Sequence, residues 1–211
     1  MAKTLHYLFD PLCGWCYGAT PAVAALAEAD IKVEPLPTGL FSGEGARPMD
    51  EGFADYAWAN DQRIGRLTGQ PFTPLYRTQV LGDRVRLFDS GPATVTLTAV
   101  SLTEPARELE ALKAIQTARY VNGRDITDLR TLLDVLKQLN LTDAAAQLER
   151  RSPALLAANQ ARTASARSWM RELDARGVPT LILESGQARK LLDTSAIYAS
   201  PGALFEQLRA A

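Results

Sequence analysis

Leu5-His6-Tyr7-Leu8-Phe9-Asp10-Pro11-Leu12-Cys13-Gly14-Trp15-Cys16 is the stretch on which the reading of this chain turns. A mostly apolar run of five residues reads as a strand. Asp10-Pro11 ends it. Ala19-Thr20-Pro21-Ala22-Val23-Ala24-Ala25-Leu26 then follows with a helical pattern, running to about Ala29. The two cysteines are the only ones in the sequence and stand three apart where the strand gives way to the helix. A strand feeding C-x-x-C at a helix start is the arrangement for dithiol–disulfide chemistry. Cys13 falls at the helix N-terminus, where free N–H groups and the helix dipole favour a thiolate. Cys16 lies one turn further, within reach of a disulfide.

Outward from this motif, Ile31-Lys32-Val33-Glu34-Pro35-Leu36-Pro37 reads as a second strand, and β-α-β implies parallel strands with a right-handed crossover. Thr38 to Met49, with three glycines, reads as a loop. From Asp50 to about Met170 the pattern is mainly helical. Leu109, Leu112 and Ile115 recur at helical spacing, as do Leu129, Leu132, Leu133 and Leu136. Asp89-Ser90-Gly91-Pro92 has the form of a capped helix start, and Thr127-Asp128-Leu129 resembles another. Ala93 to Val100 is ambiguous: β-branched residues favour a strand, and the start signal favours a buried helix. Near the end, Leu181-Ile182-Leu183 reads as a strand, Gly186 as a turn, and Lys190-Leu191-Leu192 as the hairpin partner. Pro201 opens a last helix.

The order is therefore β-α-β, a long helical block, then β-β-α. On this order, on Asp10 to Gly18 and on Gly177-Val178-Pro179-Thr180, the chain resembles the DsbA family. It looks like that family's cytoplasmic branch of protein-disulfide isomerases with a Cys-Gly-Trp-Cys motif. The resemblance implies an α/β, thioredoxin-like fold with a large helical insertion. Residues 1–40 and 176–211 are expected to form the core, and residues 41–175 the insertion. It implies a thiol–disulfide oxidoreductase or isomerase, with Cys13 attacking and Cys16 resolving. It further implies a cis bond before Pro179, facing the disulfide, with the Val178 backbone turned toward an extended substrate. The family's strong oxidants carry a histidine between the cysteines. Gly14-Trp15 replaces it here, so a less oxidising couple is expected.

Trp15 has two open readings, a substrate-contacting platform beside the sulfur or packing against the first loop. Asp10 likewise reads either as a turn residue before Pro11 or as a proton acceptor beneath Cys16. Tyr17, Phe41, Met49, Phe53 and Trp58 read as core rather than as a groove. No cofactor or metal is expected, because zinc needs about four ligands and only two thiols and His6 are present. His6 reads as a packed strand residue.

The chain has 211 residues, a net charge of -1 and 22% charged residues, which gives no reason to expect nucleic acid. No segment is apolar enough to span a bilayer. The start lacks a signal-peptide pattern, so a cytoplasmic location is expected. The arginines at 150, 151, 162, 167, 171 and 176 read as a solvated helix face. The expected partners are proteins or small thiol compounds bearing disulfides, glutathione among them. The alternative is a glutathione-dependent transferase or isomerase of the kappa-class or hydroxychromene-carboxylate isomerase type. Those relatives usually keep a serine at the first cysteine position, and Cys13 with Cys16 favours the redox reading.

Overall fold

The computed structural model describes residues 3–28, 31–199 and 201–210. It begins with β1 (Lys3–Phe9), α1 (Gly14–Glu28) and β2 (Lys32–Pro37). A short ribbon follows, β3 (Arg47–Pro48), with α2 (Glu51–Thr68) and β4 (Leu87–Phe88) after it. Five helices come next: α3 (Gly91–Thr103), α4 (Glu108–Tyr120), α5 (Leu129–Gln138), α6 (Thr142–Arg150) and α7 (Pro153–Glu172). The chain then closes with β5 (Thr180–Ser185), β6 (Ala188–Leu191), α8 (Ala196–Ala199) and α9 (Pro201–Ala210).

The main sheet has the order β2-β1-β5-β6. β1 pairs with β2 in parallel and with β5 antiparallel, so the first strand is central. Central strands are covered on both faces, which explains why β1 is apolar almost throughout. Leu5, Tyr7 and Phe9 join the main core, while Leu8 meets Ile182 and Ala166 of α7 in a smaller cluster on the other face. Gly186, at a φ of 61°, turns β5 into β6.

Ala93 to Val100 is helical and wholly buried. Its β-branched residues follow from that burial: α3 lies among α4, α6 and α7, and threonine and valine fill an interior there. The Thr38–Met49 stretch is not all loop, since Arg47 and Pro48 pair with Phe88 and Leu87. Ser90 precedes α3 but makes no capping bond; Asp89 Oδ1 instead accepts from the Gly91 N–H at 2.8 Å. The arginine-rich face of α7 is also not simply solvated. Arg162 pairs with the buried Glu108 at 2.7 Å and donates to the Pro35 carbonyl at 2.9 Å. Arg167 donates to the Thr38 carbonyl at 2.7 Å and to that of Gly39. These two residues tie α7 to the end of β2.

Pro21 sits inside α1 and cannot donate to the Tyr17 carbonyl. Gln70 Nε2 supplies the missing donor at 3.1 Å, which joins the end of α2 to α1. Gly123, just past α4, has a φ of 64°, and a Cβ there would lie 2.8 Å from the Leu75 backbone. Both the backbone conformation and the lack of space select glycine. Gly123→Ala is expected to lower the unfolding free energy by about 2 kcal/mol or more, read as a lower urea midpoint with unchanged slope.

Candidate active site

The turn between β1 and α1 is built around a carboxyl group. Asp10 is fully buried and accepts from the Leu12 N–H at 2.9 Å, the Phe41 N–H at 3.2 Å and the Ser90 hydroxyl at 2.7 Å. Burial raises its pKa above the usual carboxylate range, and these hydrogen bonds oppose the rise. Asp10 is therefore both a turn residue and a buried group beneath the motif. The Cys13 N–H donates to the Asp10 carbonyl at 3.1 Å, and the Tyr17 N–H to the Cys13 carbonyl at 3.1 Å. Cys13 thus stands at the mouth of α1, 9% exposed. Its sulfur lies 3.5 Å from the Val178 carbonyl oxygen.

Cys16 is fully buried, and both cysteines are free thiols. Burial, followed by the nearby Cys13, pushes the Cys16 thiol well above its ordinary range, while the Asp10 backbone partly offsets this. The two thiols are therefore unequal: Cys13 keeps a small exposed area, whereas Cys16 has none and burial disfavours its charged form. The Val178–Pro179 bond is cis, Pro179 is buried and Val178 is half-buried. The structure thus brings Cys13, Cys16, Val178 and Pro179 together from opposite ends of the chain.

Hydroxyl groups hold the motif's backbone. Tyr120 donates to the Leu12 carbonyl at 2.8 Å, Tyr7 to that of Cys16 at 3.1 Å, and Tyr198 to that of Trp15 at 2.8 Å. Trp15 is half-buried, edge-on to Tyr198 at 5.1 Å, with the Arg63 guanidinium 5.9 Å from its ring. It packs against the far end of the chain and α2 rather than against the first loop. Tyr17 and Met49 are core residues, and Phe41, Phe53 and Trp58 are half-buried against the core. His6 is buried on the far face of β1, between Glu34 at 3.3 Å and Glu184 at 3.7 Å.

Another buried carboxyl lies against the motif, at a position the sequence pattern does not single out. Asp61, 4% exposed, accepts from the Tyr76 hydroxyl at 2.8 Å. Its other oxygen occupies the place where a side chain at position 14 would point, and a Cβ there would also meet Ile64 at 3.1 Å. Burial lifts Asp61 to about 7, against the pull of Tyr76 and Arg119. Arg119 is itself 2% exposed, with the rings of Tyr76 and Phe88 each 5.3 Å away. The signal was available in α2: Asp61 shares the buried face with Ala54 and Ile64.

The cytosolic disulfide reductase DsbM from Pseudomonas aeruginosa is 36% identical over 99% of this chain and 100% of that one, with a TM-score of 0.86. The chain belongs to the DsbA family. The same P. aeruginosa protein with GSH superposes at a TM-score of 0.84, with 33% identity over 98% of both chains. A Nitrosomonas europaea protein assigned to the protein disulfide isomerases is 25% identical over 100% of this chain and 97% of that one, at a TM-score of 0.83. A 2-hydroxychromene-2-carboxylate isomerase shares the fold at 16% identity, with 98% and 93% coverage and a TM-score of 0.60. Neither a protein-family model nor a curated protein matches the sequence. The DsbA-family fold accounts for the sheet order and for the helices between its halves.

Asp61 gives a pH dependence with a definite sign. Its folded-state value, about 7, lies above its ordinary 3.8, so the folded state holds an extra proton between these values. Stability should then fall as pH rises from about 4 to 7, by at most about 1.4 kcal/mol per pH unit. Asp61→Asn should flatten this part of a urea-midpoint profile; an unaltered slope would place the protonation elsewhere.

Proposed function

We propose that Cys13 and Cys16 are the redox-active pair of a thiol–disulfide oxidoreductase that works as a reductase or isomerase. The observation that carries this reading is the unequal placement of the two thiols. Cys13 stands at the helix mouth 3.5 Å from the Val178 carbonyl, and Cys16 is sealed beneath it. The Cys13 thiolate attacks one sulfur of a substrate disulfide. That S–S bond breaks, and the departing sulfur leaves as a thiolate that takes a proton from water. Cys16 then attacks the Cys13 sulfur of the mixed disulfide, and its proton passes to the second substrate sulfur. The second substrate sulfur departs, leaving a Cys13–Cys16 disulfide. The two electrons passed to the substrate are restored by two molecules of a thiol such as glutathione. The first forms a mixed disulfide with the protein, and the second releases it as the oxidised dimer.

Substrate backbone pairs with the edge presented at Val178, and Trp15 adds an apolar contact beside the sulfur. Glutathione as the thiol partner is supported by the DsbM structure with GSH. A cytosolic site of action is supported by the name of that relative. Among the described residues no helix is long and apolar enough to cross a membrane.

Cys13→Ser is expected to abolish glutathione-coupled reduction of insulin disulfides, and Cys16→Ser to accumulate a substrate adduct on a non-reducing gel. Undiminished activity in Cys13→Ser would refute the assignment. The couple should lie between about -270 mV, the thioredoxin value, and about -120 mV, the value of DsbA itself. Equilibration against glutathione buffers measures it, and a value at the DsbA end would contradict the reductase direction.

A further inference from the structure

The mechanism above makes no use of Asp61, although its carboxyl group lies against the motif. The first turn of α1 and the middle of α2 meet without side chains between them. Gly14 faces Asp61, and Gly18 faces Ile64, where an added Cβ would come within 2.7 Å. An anion at Asp61 therefore sits beside the helix terminus that also serves Cys13. The positive end of a helix is worth roughly half an elementary charge. Two anions sharing it in a poorly solvated site repel one another far more strongly than in water.

We propose that Asp61 is a positioning residue for the dithiol, whose carboxylate competes with the Cys13 thiolate for the mouth of α1 and so holds the couple on the reducing side. This inference rests on Cys13 being the nucleophile. A thiolate disfavoured by a neighbouring charge destabilises the reduced form relative to the disulfide, which makes the protein a better electron donor. The charge state of Asp61 is set by what surrounds it. Tyr76 donates to it, and the Arg119 guanidinium of α4 attracts it from behind. Tyr120, beside Arg119, donates instead to Leu12, and Arg63 of α2 is turned to Trp15. Burial works against these attractions and brings the carboxyl to about 7, so the competition varies with pH around neutrality.

The test uses Cys16→Ser as background, which leaves Cys13 as the only thiol. The rate of Cys13 alkylation by iodoacetamide is followed from pH 4 to 10. Asp61→Asn should move the half-reactive pH downward and raise the rate at pH 6 several-fold. Tyr76→Phe removes the donor that favours the carboxylate, so it should move the profile the same way by less. In the chain with both cysteines, Asp61→Asn should shift the equilibrium with glutathione about tenfold toward the dithiol, about 30 mV less negative. Coincident alkylation profiles and equilibria in both variants, with cooperative unfolding retained, would overturn the proposal. A carboxyl of purely structural importance would change the unfolding midpoint and leave the alkylation profile in place. Failure of the underlying reading is separate, because it shows as insulin reduction that survives Cys13→Ser.

Discussion

The buried Asp10 carboxyl group joins three segments that are far apart in sequence. Its oxygens take hydrogen bonds from the turn before Cys13, from Phe41 after β2, and from Ser90 ahead of α3. A buried carboxyl with its partners removed would cost several times more than an ordinary hydrogen bond is worth. The chain must therefore bring all three donors to one point, and in doing so it sets where α1 begins. The position of Cys13 follows from that start.

Around this anchor, the helices between β2 and β5 form much of the motif's surroundings. Tyr17 stacks on Tyr120 at 4.7 Å, and Phe72 and Tyr76 each meet Tyr120 at 5.0 Å. Offset and edge-on aromatic pairs of this kind add modestly to the area they bury. Tyr120 also reaches the Leu12 carbonyl, so the same ring that packs the helices holds the motif's turn. On the other side, Tyr198 braces Trp15. Arg162 and Arg167 perform a similar service for β2 and the residues just after it, which they hold to α7 through the Pro35 and Thr38 carbonyls.

Ties of this kind also draw side chains away from the partners that their local sequence suggests. Ser90 has the residue type of a cap, yet its hydroxyl serves Asp10. Arg162 and Arg167 have the composition of a solvated face, yet they satisfy backbone carbonyls and a buried glutamate. In each case the local pattern named a sensible partner, and a more strongly desolvated group elsewhere in the fold took its place.

What the sequence determined by itself was local. The strand before Cys13, the helix after it, the glycine turn at 186 and the β-α-β and β-β-α ends all depend on neighbours a few residues away, and periodicity and backbone preference suffice to read them. So does the inequality of two thiols placed at and inside a helix start. Tertiary structure alone decided which distant groups meet. Ala93 to Val100 became a helix because other helices enclose it on every side. Asp61 came to rest against Gly14 because two helices approach where the side chains are absent. Val178 reached Cys13 across 165 positions of chain, a meeting that the family resemblance implied but that no local pattern carries. Such contacts depend on the three-dimensional approach of whole elements, and a hydroxyl or carboxyl group carries no mark in sequence of the partner it will find.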